Sequence, residues 1–474
     1  MTLASTGQPP APATLGELRA SGYRPLPVRE EIRRNTLAHL AAHEPLVEGV
    51  LGFERSVGPQ LERALIAGHD VILLGERGQA KSRIVRSLVG LLDEWLPVVA
   101  GSEINDDPFA PASRHARDLV ARLGDDTPIA WVHRHDRYGE KLATPDTSIA
   151  DLIGEVDPIK VAEGRYLADE LTIHYGLVPR TNRGIFAINE LPDLAERIQV
   201  GLLNVLEERD VQIRGYRVRL PLDVLLVATA NPDDYTSRGR IITPLKDRFG
   251  AQIRTHYPED VATEVAIVRN EAAVVASEGV SLVVPRFIDE IVARASQAAR
   301  ASGRVNQRSG VSVRLSIANR ETLVAAALRR AARLGEVDAA PRVSDLEALA
   351  ASTLGKIEVE ALEDGEDEEL LAELLDRAVQ QTFRELCPSE RLPEVVAAFA
   401  VGAVAEVGSD VPSASYAQLL EQIPLLSGVV EALVGEERTP STTASAVELV
   451  LEGLHLSRRL NKDTVDGAAT YRSR

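Results

Sequence analysis

The stretch "VILLGERGQAKSRIVRSLVGLL", Val71 to Leu92, governs how the rest of the chain is read. Its start, DVILLG, is a short apolar run ending in glycine, the mark of a buried parallel strand, and KSRIVRSLVGLLDEWL then restores helical periodicity. Strand, glycine loop and helix follow in the order that a phosphate-binding loop demands. Against the pattern G-x-x-x-x-G-K-[ST], Gly75, Lys81 and Ser82 fit, while Ala80 stands where the second glycine belongs. Such a loop, here Gly75, Glu76, Arg77, Gly78, Gln79, Ala80, Lys81 and Ser82, turns backbone N–H groups and a helix dipole toward phosphate oxygens. Lys81 would reach the β- and γ-phosphates of ATP, and the Ser82 hydroxyl would hold Mg²⁺. The extra Cβ of Ala80 costs roughly 1–2 kcal/mol if the position needs φ > 0, and little in a right-handed conformation.

Further along, "RGIFAINELPDL" sets a small apolar strand before Asn189-Glu190. Such a strand tip normally carries Asp-Glu, the first holding Mg²⁺-bound water and the second polarising the attacking water. Glu190 is present. Asn189 offers an amide oxygen without negative charge, which predicts weaker metal retention and slower turnover. The same pair could instead cap the helix that follows. "LLVATANPDD" places Asn231 just beyond another apolar strand, where it could orient a water against the γ-phosphate. "TPLKDRFG" offers Arg248 as an arginine finger, a charge worth about 10³–10⁵ in rate. "GVSVRLSIANRE" puts Arg314 at a helix start, with Arg320 nearby as a second candidate for the same role. Taken singly, Asn231, Arg248 and Arg314 also read as surface or capping residues; their weight lies in order and spacing.

The chain has 474 residues, enough for two or three domains. A net charge of -18 argues against nucleic-acid binding through a general basic surface. One cysteine, Cys387, allows no intramolecular disulfide, makes the cytoplasm the natural compartment, and reads as a half-buried small residue. The opening "MTLASTGQPPAPATLGEL" reads as a flexible tail, not a signal peptide, and no apolar run is long enough to span a bilayer. Expected boundaries are a disordered tail at 1–25, an α/β nucleotide-binding domain at 26–258, a helical lid at 259–345 and a helical C-terminal region at 346–474. The linker-like "DAAPRVSD" precedes the last of these, and "VQIRGYRVRLPL" reads as a hairpin around Gly215. The acidic run Glu363–Asp376 reads as a solvated helix start or exposed loop, and "HRHDRY" (His133–Tyr138) as a surface loop rather than a metal site.

Together, GERGQAKS, GIFAINE, ATANP, LKDRFG and the later SVR resemble the AAA+ ATPases, specifically the branch of the magnesium-chelatase ATPase subunit and the MoxR-type ATPases. Between the motifs, "TSIADLIGEVDPIKVAEG" followed by "GLVPRTNRGIFAINE" is similar to the chelatase subunit's insert and approach strand. "LLNVLEERDVQIRGYRVRLPLDVLLVATANP" is similar to its pre-sensor hairpin. The resemblance covers roughly residues 45–335. It implies a P-loop AAA+ domain with a parallel sheet, a helical lid, and beyond it an additional helical region. It implies ATP and Mg²⁺ as cofactors, with Lys81 and Ser82 as ligands, Glu190 as base, Asn231 as sensor 1, Arg248 as the finger acting on a neighbouring subunit, and Arg314 as sensor 2. It also implies a hexameric ring and a partner protein bearing a von Willebrand A domain, because this chain lacks a D-x-S-x-S motif. Alanine before the lysine occurs in some MoxR-type members; Asn189 is the more consequential departure.

The leading expectation is therefore a ring-forming ATP hydrolase that remodels a partner, as a chaperone does, or assists metal insertion. An alternative is a nucleotide-binding scaffold with little or no hydrolysis. A third, a DNA-remodelling protein or sigma-54-type activator, would need in its activator form a G-A-F-T-G-like loop that the sequence lacks.

Overall fold

Five parallel strands form the centre of the first half of the chain: β1 (Val71–Leu74), β2 (Tyr138–Leu142), β3 (Gly184–Asn189), β4 (Val224–Ala230) and β5 (Ala251–Arg254). Their order in the sheet is β5-β1-β4-β3-β2. The computed structural model describes residues 7–156, 172–207, 210–211, 220–231, 239–274, 279–306, 310–358, 365–387, 390–465 and 468–474. Every residue of β1, β3 and β4 is buried, as strands of predominantly apolar sequence require. Alternate side chains serve opposite faces. Val71, Leu73, Ile185, Ala187 and Val227 share a cluster with the helices Val28–Ala41, Val57–Ala67 and Lys81–Ser87. Ile72, Leu74, Phe186, Ile188 and Ala228 pack on the other side with Leu191, Ile198 and Leu202. The result is the expected parallel sheet with helices on both faces.

The helix after the phosphate loop is shorter than its periodicity suggests. It runs Lys81–Ser87, tightens into a 3₁₀ turn at Leu88–Leu91, and gives way to a strand, Trp95–Val99, antiparallel to Ile129–His133. Leu91 and Leu92 are both buried at this exit from the helix. The hairpin expected from "VQIRGYRVRLPL" pairs at its base, Asp210–Val211 with Leu220–Pro221, and its tip lies outside the described residues, as does most of the insert after Val156.

The opening segment is not a free tail through residue 25. Thr14 caps the helix Leu15–Ala20, whose Leu15 and Leu18 have no exposed surface. Leu15 N donates to Thr127 O, Ile129 N to Ala13 O, and Trp131 Nε1 to Pro12 O. The Pro- and Ala-rich composition hid two leucines at helical spacing on one face. In "HRHDRY" His135 and Asp136 are exposed, as a surface loop requires, but Arg137 is fully buried and donates to both carboxylate oxygens of Glu31 at 2.8 and 2.6 Å. Among the described residues no group of three or more His, Cys, Asp or Glu could hold a metal.

The chain divides into two compact units, Met1–His256 and Tyr257–Arg474. The second is mainly helical, with a three-stranded antiparallel sheet of Ala405–Gly408, Ala468–Ser473 and Leu460–Val465. One apolar cluster joins Phe287, Ile291 and Leu323 to Val447, Leu451 and Tyr471, so the stretches 259–345 and 346–474 contribute to a common core. The helix Pro440–Leu456 is buried along most of its length. "DAAPRVSD" is not a linker: Ala340 and Arg342 are fully buried. Arg342 donates to Val411 O (2.8 Å) and Ser413 Oγ (2.6 Å), and Asp345 accepts from Arg330 (2.6 Å). Within the acidic run, Leu370, Leu371, Leu374 and Leu375 turn inward, while Glu368, Glu369 and Glu373 remain exposed. No described helix is long and apolar enough to cross a membrane.

Candidate functional site

Because all five strands run the same way, the segments leaving their C-terminal ends share one edge of the sheet. β1 feeds Gly75–Ser82, β3 ends in Asn189 and leads to Glu190, β4 leads to Asn231, and β5 leads to Thr255. β4 lies between β1 and β3, with Leu74 level with Ala230 and Ala228 level with Ile188. The structure thus gathers the phosphate loop, Asn189, Glu190 and Asn231 on one edge.

The loop is tied down from both sides. Gly75 N donates to Ala230 O on β4 (3.1 Å). Buried Gln79 accepts through Oε1 from Glu76 N (3.0 Å) and from Thr255 Oγ1 (2.7 Å). A Cβ at position 75 would fall 1.9 Å from Thr255 Oγ1, so glycine is required there. Ala80 has φ +55° and ψ 12°, the left-handed conformation that costs an L-residue roughly 1–2 kcal/mol. Lys81 opens the helix and is 7% exposed; its Nζ donates to the carbonyls of Gly75 and Glu76, which keeps the ammonium inside the loop. Ser82 follows on the exposed side.

Beside the loop helix is a cavity of about 380 Å³ lined by Leu46, Val47, Phe53, Val57, Leu61 and Ile84 among others. Its size and apolar walls suit a flat aromatic group. The Phe53 ring meets His256 edge-on at 5.1 Å, and the His256 ring nitrogen lies 2.7 Å from Ser56 Oγ.

At the tip of β3, Glu190 adopts φ +55° and ψ 48°, and its N–H donates to Thr229 Oγ1 (3.1 Å). Thr229 Oγ1 donates to Asn189 Oδ1 (3.3 Å), and Asn189 Nδ2 donates to Glu140 Oε1 (2.5 Å). Glu140, on β2, also accepts from Arg86 Nε and Nη2 (2.8 and 2.9 Å) and from Tyr138 OH (3.0 Å). The Arg86 hydrogen bonds hold the Glu140 carboxyl below the usual carboxylate range, while burial pushes the Tyr138 hydroxyl up. Glu140, Thr229 and Thr255 were not singled out from sequence. Glu140 and Thr255 sit in no motif, Thr229 lies inside ATANP beside the residue that was singled out, and the strand register brings them to the site. The oxygen donors present, Ser82, Asn189 and Glu190, suit a hard cation such as Mg²⁺, which keeps waters and shares phosphate oxygens.

Arg248 ends the helix Thr243–Arg248, partly exposed, with Asp247 at 3.7 Å. In the second unit, Arg314 lies exposed on the first turn of the helix Val313–Leu334. Arg320 on the same helix is buried and donates to Asp289 (2.8 Å), which also accepts from Arg269 (2.6 Å). Arg320 is thus engaged structurally, whereas Arg314 faces outward.

A family model described as the Sigma-54 interaction domain matches residues 163–245, a segment that carries the β3 and β4 motifs. The magnesium-chelatase 38 kDa subunit of Cereibacter sphaeroides is 29% identical over 215 residues, covering 43% of this chain and 56% of that protein. The chloroplastic magnesium-chelatase subunit ChlI-1 of Arabidopsis thaliana is 30% identical over 206 residues, covering 43% of this chain and 45% of the relative. The chain spans about half the length of the curated relatives it matches. Among solved structures, the complex between subunits BchI and BchD of magnesium chelatase, based on a cryo-EM reconstruction, matches at 20% identity and TM-score 0.33, over 73% of this chain and 100% of that one. NtrX from Brucella abortus in complex with ATP matches at 14% identity and TM-score 0.40, over 74% of this chain and 66% of that one.

Proposed function

We propose that the chain is an AAA+ ATPase on the branch of the magnesium-chelatase ATPase subunits, a reading its matches to those subunits support, and that it binds ATP with Mg²⁺ and hydrolyses it to act on a partner protein or to assist metal insertion. One observation carries this reading: a parallel sheet sets a lysine held inside a glycine-containing loop on the same edge as a strand-tip glutamate. In this reading residues 26–258 bind nucleotide, 259–345 form the lid and 346–474 add a helical region.

The loop amides and Lys81 grip the β- and γ-phosphates, and Ser82 with Asn189 would hold the metal. Bound Mg²⁺ supplies charge neutralisation of the phosphate oxygens. Glu190, at the exit of β3, orients and polarises the attacking water, with Asn231 beside it as sensor 1. Arg248 acts on a nucleotide held by a neighbouring copy, which makes a ring, hexameric in this proposal, part of the activity. Arg314 rather than Arg320 takes the sensor 2 role, because Arg320 is engaged by Asp289. The relatives are named as subunits, which supports work alongside a second protein; one bearing a von Willebrand A domain is the specific partner proposed. An activator of the sigma-54 type is less well supported, since the segment matched by that family lacks G-A-F-T-G.

Calorimetry with ATP and a steady-state phosphate-release assay test this directly. ATP uptake should be abolished by Lys81→Ala. Glu190→Gln should keep uptake while turnover falls about 10²–10⁴-fold. No uptake by the native chain would overturn the reading, and turnover no faster than that of Lys81→Ala would favour the scaffold alternative.

A further inference from the structure

Position 189 lacks the carboxylate expected at the tip of β3, and a carboxylate stands one strand over. In the β2–β3 register Glu140 is level with Ala187. Side chains alternate along a strand, so Glu140, Ala187 and Asn189 lie on one face of the sheet. Ala187 packs there with Ile84 and Val85 of the helix that leaves the phosphate loop. Arg86 of that helix reaches Glu140 from the same side.

Asparagine at 189 is complementary to this neighbour. Its Nδ2 fills a lone pair of Glu140 Oε1 at 2.5 Å, and its Oδ1 accepts from Thr229 while keeping capacity for a second donor. Aspartate of the same shape would set two carboxylates at hydrogen-bond distance, each opposing ionisation of the other. Charge at 140 and amide at 189 therefore form one unit.

We propose that Glu140 supplies the negative charge toward nucleotide-bound Mg²⁺ that Asn189 cannot, with Asn189 relaying it to the metal's water shell through Oδ1; this rests on the ATP reading above. Glu140 is a positioning residue for the metal, and Arg86 and Tyr138 fix its carboxylate. The Arg86 side chain is 64% exposed, so solvent weakens its hold on that charge.

The test is calorimetric titration of ATP into the full chain, once in EDTA and once in saturating Mg²⁺, with thermal unfolding recorded for every variant. Glu140→Gln should leave affinity in EDTA unchanged and shrink the Mg²⁺-dependent gain about 10–100-fold, the usual effect of removing an outer partner of a metal site. The double variant Glu140→Gln, Asn189→Asp returns the charge to position 189 and should recover the gain. Arg86→Ala keeps the carboxylate and should retain it. The proposal is overturned by a Glu140→Gln protein with the native Mg²⁺ gain, by equal loss in EDTA and Mg²⁺, or by Arg86→Ala reproducing the Glu140→Gln defect. No ATP uptake by the native chain in either condition would instead remove the nucleotide reading, and this inference with it.

Discussion

Thr255 Oγ1, just past β5, donates a 2.7 Å hydrogen bond to Gln79 Oε1 inside the phosphate loop, and both side chains are buried. The bond fixes a loop that otherwise depends on Gly75 N reaching Ala230 O and on the turn between Glu76 and Gln79. Thr255→Val keeps the shape and removes the donor. It should cost about 1 kcal/mol of stability and, through a looser loop, weaken ATP binding about fivefold. Thermal unfolding and calorimetry report the two effects. Native ATP affinity in a destabilised Thr255→Val protein would separate the bond from the loop's function.

Ala80 holds φ +55° immediately before Lys81. Glycine adopts this conformation without a Cβ penalty but loses more freedom on folding. The balance predicts that Ala80→Gly gains up to about 1 kcal/mol in chemical denaturation and retains ATP uptake. A less stable Ala80→Gly protein would mean that the methyl group makes contacts outweighing the backbone strain.

Arg320 and Arg314 separate by environment. Asp289 has no exposed side-chain surface and is shared by Arg320 and Arg269. Arg320→Ala should therefore cost about 2–3 kcal/mol, somewhat less than breaking a lone buried pair, because Arg269 remains. Arg314→Ala, on the exposed first turn, should stay within about 0.5 kcal/mol of native stability while lowering ATP turnover. Urea unfolding beside a phosphate-release assay distinguishes them. A turnover defect confined to Arg320→Ala at native stability would reverse the sensor assignment.

The sheet centre was legible because β1, β3 and β4 are buried at every position and so are written as nearly continuous apolar runs, broken only by Asn189 and Thr229. The residues at their ends then followed from motif spacing. Glu140 was not legible: "YGEKL" carries no motif, and its bond to Asn189 exists only through the pairing of β2 with β3. Arg342 misled in the opposite direction. A charged residue in "DAAPRVSD" reads as exposed, yet its guanidinium is satisfied by Val411 O and Ser413 Oγ, partners distant in sequence. Leu15 and Leu18 likewise join the core where the segment's backbone bonds across to residues distant in sequence, Leu15 N donating to Thr127 O and Ala13 O accepting from Ile129 N.

Cys387 gives the second unit its own probe. It follows the helix Glu366–Leu386, is 6% exposed, and burial pushes its thiol up to about 12. The thiolate is the reactive form, so at pH 8 the folded chain should react with iodoacetamide about 10³-fold more slowly than the unfolded chain, whose thiol titrates near its ordinary value. Raising the pH should speed labelling of the folded protein steadily to about pH 12, whereas the unfolded rate levels off above about pH 8.5. As this is the sole cysteine, mass spectrometry of labelled protein counts the reaction without ambiguity. Native labelling as fast as unfolded labelling at pH 8 would mean that the packing of Cys387 with Phe383 and Leu392 opens readily in solution.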